Sequence, residues 1–371
     1  MKPKLCFAIW SFGVGGAERV LIGLLKGIPR DAYDISVLCL KEKGVYAHEI
    51  EEAGIPVHSI GKTRKIDPAA FIRLVAFLRR ERPDLLNTHL WTADLWGRIA
   101  GILTGVRRIV VTEHNVDLWK SRLRLAIDRA LFARTDAVIC VGEEVRDFYL
   151  RRVGVPAEKA VVIANGIELW RFAAASGGGA VRAAFGIGGQ EFLFVCAARL
   201  HPQKAHPVLF EAVRLLLEQG APPFRLLLVG DGTERPTLED LAGRLGLRGE
   251  VLFLGARTDV PAILADADGF VLSSDYEGTS IAILEAMAAT LPVVATDVGA
   301  NRSVVRDGVA GLIVPPRDPS LLAAAMLRLI GDREAARAMG RRGREIVQAH
   351  YSTESATRAT LELFDRLLRR P

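Results

Sequence analysis

GFVLSSDYEGTSIAILEAMAATLPVVATDVG, residues 269–299, reads as strand, loop, helix, turn and strand. Its two apolar runs, GFVLSS and PVVATDVG, are short and rich in β-branched residues, the composition of strands buried on both faces. Between them YEGTSIAILEAMAA passes from a polar loop into an apolar helix. Strand, helix and strand in that order make a βαβ unit, which needs a parallel sheet with helices laid over it.

The alternation extends in both directions. EFLFVCAA, RLLLVG and VLFLG precede this unit and GLIVPP follows it. The first half repeats the pattern through LCFAIW, DISVLCL, PVHSI, LLNTHL, RIVVTEH, AVICVG and AVVIAN, with helical stretches such as ERVLIGLLKGI and AAFIRLVAFLRRER between them. Residues 173–190, AAASGGGAVRAAFGIGGQ, are small, Gly-rich and without periodicity, and read as a linker. The pattern predicts an α/β protein of two Rossmann-like, doubly wound parallel-sheet domains, 1–172 and 191–351, facing across a deep cleft. Three helices close the chain, at roughly 318–331, 333–349 and 352–369. Sheets of this kind bind ligands beyond the carboxyl ends of their strands.

Of the 371 residues, 50% are apolar and 25% charged, as in ordinary globular proteins. No apolar run approaches the roughly 20 residues of a membrane span. The N-terminal MKPKLCFAIW is basic and then apolar, but its run is short and meets Gly13, so it does not read as a signal peptide. Cys6, Cys39, Cys140 and Cys196 sit in strand-like runs with no metal-ligand spacing, which predicts buried, reduced thiols and a cytoplasmic protein. The net charge of +6 lies in the first half: 27 Lys and Arg against 20 Asp and Glu through Phe172, then 22 against 23. An anionic lipid surface, nucleic acid or an anionic substrate would suit such a surplus, and so would solvated Arg-rich helices. The cations are not interleaved with aromatics as single-strand binding requires, so no nucleic-acid partner is expected.

Chemistry concentrates around Glu277 and Glu285. A carboxylate beside an apolar helix is costly without a partner, and sugar hydroxyls would serve. Gly278, Thr279 and Ser280 open that helix, whose N–H groups and dipole suit a phosphate. Arg199 and Lys204, after the strand EFLFVCAA, can converge on a diphosphate. After the first strand, Gly13, Gly15 and Gly16 allow close backbone approach, but Glu18 stands where a dinucleotide fingerprint needs its third glycine. His89 and His114 end two strands, with Glu113 and Asn115 placed to orient His114. His201 and His206 find no partner ligands at zinc spacing, so no metal is expected. The basic stretch 118–136 suits either the sheet or an anionic lipid surface, the latter through Lys120, Arg122, Arg124 and Arg129.

From SFGVGGAER through NTHLWTADLWGRIAG, TEHN, VIANGIELWRF, AARLHPQK, LLLVGDGTERPTLEDLA, SSDYEGTSIAILEAMA and GLIVPPRDP, the chain resembles the retaining family-4 glycosyltransferases of the GT-B fold. The resemblance implies that Arg199 and Lys204 hold the diphosphate of a nucleotide-sugar donor and that Glu285 binds its ribose. Glu277, with Gly278, Thr279 and Ser280, would hold the transferred sugar and phosphate. Gly15 and Gly16 would approach the donor, His114 the reacting centre, and Gly230, Asp231 and Arg257 the base. The acceptor, a glycan or lipid-linked glycan, would fall to His89, Glu113 and Asn115, and the segment 352–371 would cross back to the first domain. It further implies a UDP-sugar donor, retention without a metal or other cofactor, and cell-envelope or polysaccharide biosynthesis, with the enzyme peripheral at a membrane. An epimerase of the same fold or a non-catalytic nucleotide-sugar-binding subunit is the alternative. The chain departs from the family at Ala205 and Thr290, where glycine is usual, and at Ser303, where glutamate is common.

Overall fold

The computed structural model describes residues 2–117, 120–173 and 178–369. All thirteen expected strands are present, in two wholly parallel sheets. The first contains β1 (Lys4–Ile9), β2 (Asp34–Cys39), β3 (Val57–Ser59), β4 (Leu85–His89), β5 (Arg108–Glu113), β6 (Ala137–Cys140) and β7 (Ala160–Val162), in the order β3-β2-β1-β4-β5-β6-β7. The second contains β8 (Phe192–Ala197), β9 (Phe224–Val229), β10 (Val251–Gly255), β11 (Gly269–Leu272), β12 (Val293–Thr296) and β13 (Gly311–Val314), in the order β10-β9-β8-β11-β12-β13. Each is doubly wound: successive crossovers run one way from the first strand, then return to its other side. The order therefore switches between β1 and β4, and between β8 and β11, the places where such sheets open a crevice at their carboxyl ends.

Continuous apolar strands are what a doubly covered sheet requires, and β4, β6, β11, β12 and β13 are buried at every residue. The covering helices follow local rules. In Pro68–Glu81 the Asp67 carboxylate accepts from the Ala70 N–H, Pro68 opens the first turn, and the helix stops at Arg82 in the left-handed region (φ 49°). Ala70, Leu74, Phe77 and Leu78 form its buried stripe. The four cysteines are free and buried.

The chain divides into two units. One runs to Gly166 and resumes at Thr353, and the other is Ile167–Ser352. The helix Thr353–Arg369 belongs to the first unit because its apolar stripe of Leu363, Phe364 and Leu367 is buried there. Burial of each such side chain stabilises by about 1.5–3 kcal/mol. Tyr33 Oη donates to Asp365 at 2.5 Å, and Arg108 Nε donates to the Leu367 carbonyl at 2.8 Å.

Residues 174–177 of the expected linker lie outside the described residues. Its remainder is tied into the second unit: the Asp266 carboxylate accepts from the N–H groups of Gly179 (2.9 Å) and Val181 (2.8 Å), and Arg182 pairs with Asp268. Low periodicity there reflects a short helix, Ala180–Ala184, anchored by backbone bonds rather than by an apolar stripe.

The stretch 118–136 also differs from expectation, and Leu118 and Trp119 are not described. The helix spans Arg122–Phe132, and its ionic groups are not all in water. Lys120 is buried and pairs with Asp128 at 2.9 Å and Asp117 at 2.8 Å, while Asp128 also pairs with the fully buried Arg98. Lys120 therefore cannot face lipid.

Candidate active site

The switch point of the second sheet gathers an ion pair from two loops. Lys204 comes from the loop after β8, and Glu277 from the loop after β11. Lys204 Nζ lies 2.5 Å from Glu277 Oε1, and Ser274 Oγ donates to the same oxygen at 2.6 Å. Glu277 is 6% exposed, so its charge is paired rather than solvated. A layer beneath holds both loops: Ser273 Oγ donates to the Lys204 carbonyl at 2.8 Å, Gln203 Nε2 to the Tyr276 carbonyl at 2.8 Å, and Thr296 Oγ1 to the Ser274 carbonyl at 2.6 Å. Sequence reading missed Gln203, Ser273, Ser274 and Thr296. For Ser273, Ser274 and Thr296 the signal was a polar residue at the end of an apolar strand, and Gln203, in the turn Pro202–Lys204, carried none.

Gly278 follows Glu277, and its carbonyl accepts from the Ala300 N–H at 3.0 Å. Gly299, at φ 52°, lets that turn pass, since a side chain there would collide with the Glu277 and Gly278 carbonyls. Ser280 is the N-cap of the helix Ile281–Ala288, but its hydroxyl does not cap it. Glu285 lies on this helix, half-buried, one turn beyond Ile281. Arg199 is exposed on the loop that carries Lys204.

The loop after β9 packs against the loop after β8. Gly230 has φ 143°, and a Cβ there would strike the Ala198 carbonyl, so glycine is required. The Gly232 N–H donates to the Asp231 carboxylate at 2.8 Å, and that bond, with Arg235, lowers the Asp231 pKa. Arg257 is exposed and makes a two-pronged pair with Asp259, at 2.8 and 2.6 Å.

In the first unit Gly15 is the N-cap of the helix Gly16–Gly27. The Glu18 carboxylate folds back over Gly15, where an added Cβ would stand 3.0 Å from its Cδ. His89 closes β4 and His114 follows β5, and the two rings meet: His89 Nδ1 is 3.0 Å from His114 Nε2. Burial pushes both pKa values down, that of His114 to about 4, which keeps both rings neutral at pH 7.

Glu113 does not orient His114. Side chains alternate along a strand, so Glu113 points away from its neighbour, toward Lys120 Nζ at 3.7 Å. Burial pushes its carboxyl up to about 7, against the pull of Lys120. Asp94 beside it, fully buried, is raised well above the carboxylate range by the same burial and by Glu113. Asn115 Oδ1 accepts from the Val116 N–H at 2.9 Å. The partner of His114 is thus His89, itself only 2% exposed, and both His89 and Glu113 are enclosed by protein.

A family model described as Glycosyltransferase Family 4 matches residues 14–171, and one described as Glycosyl transferases group 1 matches residues 180–346. The putative glycosyltransferase EpsD of Bacillus subtilis is 32% identical over 274 residues, 71% of each chain. The UDP-Gal:alpha-D-GlcNAc-diphosphoundecaprenol alpha-1,3-galactosyltransferase of Escherichia coli is 29% identical over 335 residues, 86% of each chain. Among solved structures, HepE of Anabaena in complex with UDP-glucose has a TM-score of 0.87 at 25% identity, over 98% of this chain and 99% of its own. Two Rossmann-like units with polar clusters at their strand ends place the protein among GT-B enzymes. The chain belongs to the family-4 glycosyltransferases, and its activity is glycosyl transfer.

Proposed function

We propose that the protein moves a sugar from a UDP-sugar to a hydroxyl of a glycan or lipid-linked glycan, with retention at the anomeric carbon and without a metal ion. The observation that carries this reading is the enclosed Lys204–Glu277 pair at the switch point of the second sheet. On donor binding the pair is exchanged: the diphosphate takes Lys204, and sugar hydroxyls take Glu277. Arg199, Lys204 and the first-turn N–H groups of Ile281–Ala288 stabilise the charge that builds on the leaving diphosphate, the work a divalent ion performs in other transferases. Thr279 and Ser280 contact the phosphate, Glu285 the ribose, and Gly230, Asp231 and Arg257 the base, with Arg257 released from Asp259. Gly15 and Gly16 admit the donor once the Glu18 carboxylate swings aside. The sugar becomes oxocarbenium-like. The acceptor oxygen attacks from the face the diphosphate leaves, and its proton passes to a leaving-phosphate oxygen.

UDP is favoured because the E. coli relative is named for UDP-Gal and HepE is solved with UDP-glucose. A lipid-linked glycan is favoured because that relative is named for a diphosphoundecaprenol acceptor, and LpsE of Rhizobium meliloti, 28% identical, for lipopolysaccharide core biosynthesis. No helix among the described residues is long and apolar enough to cross a membrane. The first unit does expose Ile66 (80%) and Ile72 (68%) beside Arg64, Lys65, Arg73, Arg79 and Arg80, a surface suited to anionic lipid. The reading is therefore a peripheral enzyme at the cytoplasmic face of a membrane.

A thermal-shift screen of UDP, GDP, ADP and their sugars tests the donor. A ligand at 100 times its Kd stabilises by about 2.7 kcal/mol. Stabilisation by uridine nucleotides alone is the expected result, and none from them overturns the donor assignment. Product of inverted anomeric configuration, or turnover abolished by a chelator, overturns the mechanism.

A further inference from the structure

Asn87 stands in the middle of β4, fully buried. Its amide orientation is fixed by a group that can only accept. Nδ2 lies 3.2 Å from the Val110 carbonyl oxygen and 3.0 Å from Thr112 Oγ1, so the NH2 faces β5. The amide oxygen then faces His89, whose Nε2 is 2.7 Å away. An amide oxygen cannot donate, so His89 Nε2 carries the proton. The enclosed His89 ring is neutral, which leaves its Nδ1 as a bare lone pair. That lone pair is 3.0 Å from His114 Nε2, which must therefore be the protonated nitrogen of His114. His114 is neutral too, so its Nδ1 is also bare. It is buried and has no hydrogen-bond partner among the described residues.

We propose that Asn87 and His89 are positioning residues that lock His114 as the Nε2–H tautomer, making His114 Nδ1 the hydrogen-bond acceptor for a hydroxyl of the sugar substrate. The identity of that hydroxyl's owner rests on the glycosyl-transfer reading, and the tautomer does not. The lock has a chemical consequence. A bare imidazole nitrogen accepts from a hydroxyl but repels an unprotonated phosphate oxygen. His114 is thereby directed to the sugar and away from the diphosphate, and it has no proton at Nδ1 to give to a leaving group. The relay runs in one direction: the Val110 carbonyl fixes the amide, the amide fixes one ring, and that ring fixes the next.

The test is a long-range proton–nitrogen correlation spectrum of the full chain labelled at histidine nitrogens. Only seven histidines are present, and His114→Gln identifies the His114 signals by their loss. The expected result at pH 7.5 is a neutral ring with a protonated Nε2. A protonated Nδ1 or an imidazolium overturns the lock. A UDP-sugar should shift the bare Nδ1 signal, and UDP alone should not. Equal shifts from the two, or no shift at donor concentrations that saturate the thermal response, overturn the hydroxyl contact. If no sugar nucleotide binds at all, the transfer reading fails and the tautomer result stands by itself. His89→Phe keeps a ring against Phe7, whose centroid lies 6.4 Å from that of His89, but removes the acceptor. It should spread His114 over both tautomers and lower kcat/KM about tenfold, the worth of one ordinary hydrogen bond. A folded His89→Phe with the wild-type His114 spectrum overturns the relay.

Discussion

Lys204 and Glu277, 73 residues apart in sequence, form a contact of 2.5 Å that joins the two loops flanking the switch point of the second sheet. A charge pair so enclosed is a structural element and, on the proposed function, also the group a donor must open. Removing one partner leaves the other buried and uncompensated. Lys204→Ala should therefore destabilise the protein by about 3 kcal/mol as well as abolish turnover, measured by denaturant unfolding and by donor consumption. Replacing both residues by Met should restore most of the stability and none of the turnover. Turnover that survives in the double variant would remove both residues from the reaction.

The Glu113 carboxyl gives a pH signature of opposite sign to the usual one. Burial raises it to about 7 in the folded chain, against roughly 4.3 when unfolded. Between those values the folded state keeps a proton that the unfolded state has released. Stability therefore falls as pH rises from about 4.5 through 7, and the loss is complete above that. Asp94 is raised in the same direction, so the two titrate as a pair. Glu113→Gln removes the penalty. Its stability relative to wild type should grow between pH 5 and 8 by on the order of 3 kcal/mol. A pH-independent difference would show that Glu113 ionises normally in the folded protein.

The fold was legible because most strands are short, largely apolar runs separated by helical stretches, the pattern of a doubly covered sheet. Lys204 and Glu277 were legible as charges beside strand ends. The ionic cluster of Arg98, Glu113, Lys120 and Asp128 was not. Its members sit on four different segments, and a charged residue on an amphipathic helix looks the same in sequence whether it meets water or a buried partner. The link from Asn87 to His114 was half legible: two histidines at strand ends were visible, but their contact depends on the parallel register that sets His89 beside Thr112.

Two departures from family sequence fall where the backbone is left-handed. Ala205 has φ 47° and Thr290 has φ 66°, at positions where glycine is usual in the family. The costs differ. A β-branched residue at positive φ is a steric outlier, and αL costs a non-glycine residue about 1–2 kcal/mol. Thr290 is half-buried, and its hydroxyl lies at a long 3.5 Å from Arg344 Nη1. Thr290→Gly should therefore raise stability by about 1 kcal/mol, read as a higher denaturant midpoint at unchanged slope. Ala205 is 7% exposed, so glycine there loses a buried methyl as it relieves the backbone, and Ala205→Gly should be near neutral. Equal effects at the two sites would mean that backbone strain is not the cause.

The surface around the helix Pro68–Glu81 makes a separate prediction about location. Ile66 and Ile72 are solvent-exposed, with Arg64, Lys65, Arg79 and Arg80 exposed around them. Each cation near an anionic bilayer contributes about 1 kcal/mol, and inserted apolar side chains add to it. The protein should therefore float with vesicles containing phosphatidylglycerol and not with phosphatidylcholine alone, and added salt should release it. Arg79→Gln with Arg80→Gln should weaken binding by about 2 kcal/mol, roughly thirtyfold, and Ile66→Ser with Ile72→Ser should weaken it further. Transfer to a water-soluble acceptor should be unchanged, because these residues are not among those assigned to the donor. Leu123, 70% exposed on the helix Arg122–Phe132, is the control. With Lys120 withdrawn into the ionic cluster, that helix has lost one of the cations that would bring it to lipid, so Leu123→Ser should leave vesicle binding intact. If Leu123→Ser releases the protein and the Ile66 and Ile72 changes do not, the membrane face lies on the Arg122–Phe132 helix instead.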